Sequence, residues 1–375
     1  MRHCLVCGNS ELHIFEDLIP FHGITSDCKP WPRAGQFMVC NSCGHPQKNV
    51  SEQWLTDINE IYSKYEMYPL SEGSEPLLFS DTGSPSPRSR VLLEIFLSMF
   101  PLNQSGKLLD IGCGNGSLLK QFHELKPHWN LYGHEQSSRQ ENILSVDGVE
   151  GYYSGDLDSV SNQFDVIVMT YVIEHLINPI EILKKIKQLL LPGGLLIVQT
   201  SYFNDNPFDL MVCDHCSHFT PETLAVAARK SGFSIKHVTD QWIAKEIGFV
   251  AQTGTDNEIS VDAGKNKVDL NSGLLWLQKL AEDSKQKSNE KIIGIFGTAV
   301  AGTWLAASLE EKVAFFVDEN PTQHGKFHMG IPIISPEKVP AGAAVIMGFL
   351  PKFAGKIAAR LSIQYPEIEF VIPNS

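Results

Sequence analysis

Short apolar runs alternate with amphipathic segments along most of this chain, the order that builds layered α/β folds. Leu108 to Ile111 reads as a buried parallel strand, Gly112, Gly114 and Gly116 as a turn, and Ser117-Leu118-Leu119 as the opening of a helix. Leu131 to Glu135, Phe164 to His175 and Leu190 to Val198 follow in order, and the alternation runs to about Gln252, predicting a doubly wound parallel sheet. Upstream, Trp54 to Tyr68 has helical spacing, Ser71 to Ser89 is a Ser/Gly/Pro-rich loop, and Arg90 to Phe100 is an amphipathic helix. Downstream, Thr253 to Leu270 reads as a polar linker and Leu274 to Lys287 as a helix of mixed charge. A second strand–turn–helix then begins at Lys291, with a glycine turn from Gly297 to Gly302 and a strand from Val313 that ends at Asp318. Boundaries fall near residues 70 and 252, giving segments 1–70, 71–252 and 253–375.

Composition narrows the function classes. A hydrophobic content of 43% supports real cores, and no apolar run is long enough to cross a bilayer. A net charge of −13 would repel polyphosphate chains, so a nucleic-acid substrate is disfavoured. The first residues lack the apolar stretch of a signal peptide, so a cytoplasmic enzyme acting on a small molecule, as a monomer or small homo-oligomer, is expected.

Eight cysteines in such a setting point to metal ligands or buried thiols rather than disulfides. Cys4 and Cys7 form one Cys-x-x-Cys knuckle, and Cys40 and Cys43 a second. Two knuckles supply the four thiolates of tetrahedral zinc, and a site with no open position is structural. Cys28, in the loop between them, is a substitute ligand. Cys213 and Cys216 make a third Cys-x-x-Cys, for which a metal or redox role is the rival reading.

Within segment 71–252 the glycine turn opens a helix N-terminus toward a ligand, yet Asp110 closing the strand is unsuited to receiving a pyrophosphate. Glu135, at the end of the next strand, is placed to grip two ribose hydroxyls. These blocks, in this order, resemble the class I S-adenosylmethionine-dependent methyltransferases, an NAD-type unit being the competing reading. The resemblance implies a Rossmann-like domain whose cofactor is held by Asp110, Gly112, Gly114, Gly116, Glu135 and Tyr171. In the last segment Gly297 to Gly302 is nearly a dinucleotide fingerprint, with Ala299 at the middle glycine position. It reads either as a second nucleotide pocket, for NAD or a nucleotide-bearing substrate, or as a lobe that keeps the turn without a ligand.

Taken together, the N-terminal knuckle, the tyrosines from Tyr62 to Tyr68, the methyltransferase blocks, Asp214 to Thr220 and the final lobe resemble the three-domain zinc-containing C-methyltransferases that act on nucleotide-linked keto-deoxysugars. The implied architecture is α/β: a zinc-binding lobe with a bridging helix, a central methyltransferase domain, and a linker helix with a smaller Rossmann-like domain. In that family an acidic–His pair carries the base, which matches Asp214 and His215, with aspartate replacing the usual glutamate. The loop from Phe21 to Arg33 also departs from the family pattern, which bears on the substrate more than on the reaction.

Carbon methylation needs a carbanion, and a carbon beside a ketone gives one by losing a proton to a base that titrates near neutrality. His215 suits that role, with Asp214 or His218 beside it, and His175 is placed to polarise the ketone oxygen. Tyr68 is a further catalytic candidate, while Tyr65, His218, Gly297, Gly302 and Asp318 are candidate substrate contacts. Two other classes remain: an O- or N-methyltransferase of another small metabolite, and a non-catalytic nucleotide-binding or regulatory protein.

Overall fold

The computed structural model describes residues 3–16, 21–66, 75–79, 85–136, 143–256 and 260–374. Its centre is a seven-stranded sheet in the spatial order Val149–Ser154, Asn130–Glu135, Lys107–Ile111, Phe164–Thr170, Leu190–Ser201, Glu246–Thr253, Phe233–Thr239. The first five strands are parallel, and the inner ones, Lys107–Ile111 and Phe164–Thr170, are buried almost throughout, as in a sheet covered on both faces. Glu246–Thr253 runs against both of its neighbours, so the sheet is mixed rather than wholly parallel. The physical reason is the short link after Thr239, which allows a hairpin but not the crossover that a parallel partner needs.

Two elements depart from the sequence pattern. The loop expected between Ser71 and Ser89 contains a small antiparallel pair, Leu77–Phe79 with Pro85–Pro87, and the following helix begins at Arg88. The polar stretch before Leu274 is largely helix, because the element spans Ala263–Ser288. Asp262 caps it by accepting from the Lys265 amide at 3.0 Å. Its buried stripe of Leu270, Leu274, Leu277 and Leu280 outweighs the polar remainder.

In the N-terminal region Leu12–Ile14, Phe37–Cys40 and Pro46–Lys48 make a three-stranded antiparallel sheet. The C-terminal region is a six-stranded sheet ordered Phe327–His328, Ile331–Ile334, Val313–Val317, Ile293–Phe296, Ala344–Met347, Glu369–Val371, parallel except for the first, hairpin-linked strand. The regions share a core. Ile24 and Phe37 pack in one buried cluster with Phe203, Phe208, Leu274 and Trp304. Among the described residues no helix is long and apolar enough to cross a membrane.

Candidate active site

The glycine turn is built as the sequence requires. Gly112, Gly114 and Gly116 have φ of 73°, 53° and 81°, the left-handed region that side chains resist. A Cβ on Gly112 would lie 2.3 Å from a methyl of Val172, so only glycine lets the segment after Thr170 sit over the turn. Glu135 accepts from the Gly114 amide at 3.1 Å, tying the end of its strand to the turn. Asp110 is buried with Oδ1 lacking any hydrogen-bond partner, and burial, helped by Glu135 and Glu75, pushes its carboxyl well above the usual range.

Tyr171, expected at the cofactor, is committed elsewhere. Its hydroxyl donates to Glu246 at 2.5 Å and its ring lies 3.9 Å beneath the Arg88 guanidinium. Arg88 grips the Glu246 carboxylate with two bonds, at 2.6 and 2.7 Å, and Gln199 donates to the same carboxylate at 3.0 Å. Tyr171 therefore braces the cofactor side of the sheet through this network. The sequence pattern had no signal for Glu246, which opens the strand Glu246–Thr253 just before its apolar run.

Asp214 and His215 lie on a tight turn in which the His215 amide donates to the Val212 carbonyl at 3.2 Å. Two N-terminal strands hold that turn: the Lys48 amide donates to the Cys216 carbonyl and the Cys213 amide to the Ile24 carbonyl, each at 2.8 Å. From the other side, the Cys216 amide donates to the Glu174 carbonyl at 2.9 Å. Carboxyl ends of the central sheet and the N-terminal lobe thus meet at His215.

The expected pairing of Asp214 with His215 does not form. Adjacent side chains leave the turn in different directions: Asp214 accepts from the Ser26 amide at 2.8 Å and its hydroxyl at 2.6 Å. His215 instead uses Nδ1 to donate to Asp209, at 2.8 Å. The other Asp209 oxygen takes Nδ1 of His218, also at 2.8 Å. His218 is sealed from solvent, so it reaches the site through Asp209 rather than through substrate. Asp209, in the short helix Pro207–Met211, was missed because nothing periodic marks it.

His175 stands beside His215 with ring centroids 4.6 Å apart. Its Nδ1 lies 3.1 Å from the Asp214 carbonyl, which only accepts, so that nitrogen carries the proton and Nε2 offers a lone pair. Burial, followed by His215, lowers its pKa and disfavours the imidazolium. Tyr62 touches the same Nδ1 at 3.1 Å, and Tyr65 packs edge-on to Tyr62 at 6.1 Å. Tyr68 lies outside the described residues. Glu174 is almost wholly buried, neither carboxylate oxygen has a hydrogen-bond partner, and burial raises its pKa to about 7.

Sγ atoms of Cys4, Cys7, Cys40 and Cys43 all lie within 4.8 Å of one another. Closest are Cys4 with Cys43 and Cys7 with Cys40, both at 3.5 Å. Four sulfurs at zinc bond length in a tetrahedron are ~3.8 Å apart, so the set fits that ion. Each knuckle is closed alike, by Gly8 donating to the Cys4 carbonyl at 2.9 Å and Gly44 to the Cys40 carbonyl at 3.0 Å. Cys28 is elsewhere, in the Thr25–Lys29 turn, where burial lifts its thiol pKa to about 12. Cys216 donates to the Glu174 and Leu176 carbonyls at 3.4 and 3.3 Å, burial raises its thiol to about 12, and burial also pushes the Cys213 thiol up. Raised thiols do not serve redox exchange, which needs thiolates.

In the C-terminal lobe Gly297 has φ of 90°, and a Cβ on Gly302 would fall 1.9 Å from the Gly297 carbonyl oxygen. Asp318 accepts from the Asn320 amide at 2.8 Å. The helix Val300–Leu309 leaves this turn against the N-terminal lobe, with Trp304 and Phe21 rings 6.4 Å apart. Gly297, Gly302 and Asp318 thus share one end of the C-terminal sheet, in a lobe that packs on the loop bearing Ser26 and Cys28.

Residues 86–238 match the family described as a methyltransferase domain. A ubiquinone biosynthesis O-methyltransferase of Cereibacter sphaeroides is 27% identical over 152 residues, covering 34% of this chain and 60% of that protein. One from Roseobacter denitrificans is 32% identical over 109 residues, covering 27% and 42%. The chain thus spans 60% or less of the length of these curated relatives. An S-adenosylmethionine-dependent methyltransferase from Clostridium acetobutylicum has a TM-score of 0.36 and 12% identity over 55% of this chain and all of that one. A mitomycin 7-O-methyltransferase has a TM-score of 0.38 and 16% identity over 44% and 53%. Residues 86–238 thus match a methyltransferase domain and lie on the seven-stranded sheet and glycine turn described above.

Proposed function

We propose that the protein is an S-adenosylmethionine-dependent methyltransferase that methylates carbon in a nucleotide-linked ketosugar, with His215 as the base. The observation that carries this reading is the His215 ring, its Nδ1 tied to buried Asp209 at 2.8 Å and its centroid 4.6 Å from the His175 ring. S-adenosylmethionine supplies the methyl group as an electrophile. Asp110, with an unpaired oxygen next to the glycine turn, and Glu135 are the residues that would hold its charged and hydroxyl groups. His215 takes the proton from the carbon beside the ketone, and the Tyr62 ring packs against His175 with Tyr65 behind it. The cysteine cluster holds zinc as a scaffold, and the Gly297–Gly302 turn with Asp318 is a candidate seat for the nucleotide.

Experiments in heavy water test the reaction. A ketosugar substrate should take up deuterium at the methylated carbon, and His215→Ala should lose exchange and turnover by about 10²-fold or more while keeping cofactor affinity. Normal exchange in that variant would move the base elsewhere. Substituting Glu135 by Ala should weaken cofactor binding by about 1–3 kcal/mol in calorimetry; an unchanged affinity removes Glu135 from the cofactor site.

A second reading, O-methylation of a small metabolite, is favoured by the names of the curated relatives. It predicts methyl transfer with no solvent deuterium at carbon.

A further inference from the structure

Asp209 is the one carboxylate among the described residues that receives two imidazoles, and neither the reaction as written nor the sequence pattern assigns it a part. It lies on the short helix Pro207–Met211 and its side chain is 3% exposed. A lone buried carboxylate is costly, and this one is kept ionised by donors on every side. Ser201 Oγ donates to Oδ1 at 2.6 Å, His215 Nδ1 to the same oxygen at 2.8 Å, and His218 Nδ1 to Oδ2 at 2.8 Å. Lys48, fully buried nearby, adds a positive charge from the N-terminal lobe while donating to the Val212 carbonyl.

An ionised carboxylate only accepts, so each ring must present N–H at Nδ1. For His215 that choice makes Nε2 the nitrogen at which the ring can take up a proton. For His218 the same choice turns Nε2 into a buried atom with no hydrogen-bond partner, flanked by the Phe37 and Phe203 rings at 6.0 and 6.4 Å. Burial holds His218 neutral, with a pKa lowered to about 4, so the second ring donates without charging. Its bond fixes the far oxygen of Asp209 and so the plane in which the near oxygen meets His215. Ser201, at the end of its strand, anchors that plane to the central sheet.

The geometry points to Asp209 as the positioning residue of this site: through bonds to His215 and His218 at once it fixes the His215 tautomer and ring direction for proton removal. The assignment rests on the reading of His215 as base, but its first consequence is visible without substrate. Nitrogen–proton correlation spectra of the full-length, cofactor-bound protein should show His215 protonated at Nδ1 and bare at Nε2. In Asp209→Leu the acceptor is gone, and His215 should move toward the Nε2–H tautomer. In Asp209→Asn, which keeps size and shape, one amide cannot accept from both rings, so His215 or His218 must change its tautomer. This second variant carries the test if the first does not fold, with cofactor affinity as the check on folding.

With a ketosugar in hand, the variant whose His215 tautomer shifts should lose kcat and deuterium exchange by about 10²-fold or more while KM changes little. An Nε2–H tautomer in the native protein, or tautomers of both rings unchanged in both variants, overturns the assignment. A native Nδ1–H tautomer that shifts as stated, in a protein that exchanges no ketosugar proton, upholds Asp209 as the positioning group and removes only the ketosugar reaction.

Discussion

Glu174 shows how a single buried side chain sets a pH dependence. Its pKa rises from 4.5 to about 7 because burial penalises the carboxylate, with His175 offsetting part of the cost. A raised pKa means the folded state holds the proton more tightly than the unfolded chain. The stabilisation is therefore full below about pH 4.5 and is lost as pH climbs through 7, a change of roughly 3 kcal/mol. Glu174→Gln has no such loss. Thermal melting at pH 5 and pH 8 should show the variant gaining on the native protein as pH rises, and parallel pH trends would remove the buried-acid account. Buried polar side chains whose partners come from distant elements leave no periodic mark in the sequence. Glu135 and the three glycines could be placed on the chain because each sits at a fixed place relative to a strand end, whereas His215 was singled out through the resemblance carried by the segment from Asp214 to Thr220. Asp209 was not, since a carboxylate six residues before its histidine follows no period, and the tie of Asp214 to Ser26 crosses from one lobe to another.

Among elements, strands and the glycine turn were legible from periodicity, while two departures came from tertiary contacts. The strand Glu246–Thr253 reversed because of a short link, and the helix from Ala263 formed on a polar sequence because its leucine stripe found the shared core. Arg88 illustrates the same lesson at a helix start. Its guanidinium and the Glu246 carboxylate are 9% and 5% exposed, so the pair pins the helix Arg88–Met99 to the reversed strand out of water. Removing one partner leaves an uncompensated charge. Arg88→Met should destabilise the protein by about 3–5 kcal/mol in chemical denaturation, and adding Glu246→Leu should restore most of it. A near-neutral single variant would show that solvent reaches Glu246 freely.

At the scale of the molecule, the cysteine cluster is joined to the turn that bears His215 by a short path. Cys40 ends the strand Phe37–Cys40, which pairs with Pro46–Lys48. From there the Lys48 amide reaches the Cys216 carbonyl at 2.8 Å, and His45 Nε2 lies 3.1 Å from the Ser217 hydroxyl. The glycine turn takes its hydrogen bonds from the neighbouring strand, the Gly112 amide donating to the His134 carbonyl at 2.9 Å and the Gly114 amide to Glu135 at 3.1 Å. Freshly purified protein is accordingly expected to contain zinc, and chelation or Cys40→Ser to act on one half of the site alone. Cofactor affinity should stay unchanged within error. Turnover should fall by about 10²-fold, because a shift of the 212–218 turn by an ångström spoils the alignment of His215. Full turnover in the zinc-free variant would mean that the turn is held by the central sheet, through the Glu174 carbonyl, without help from the metal lobe.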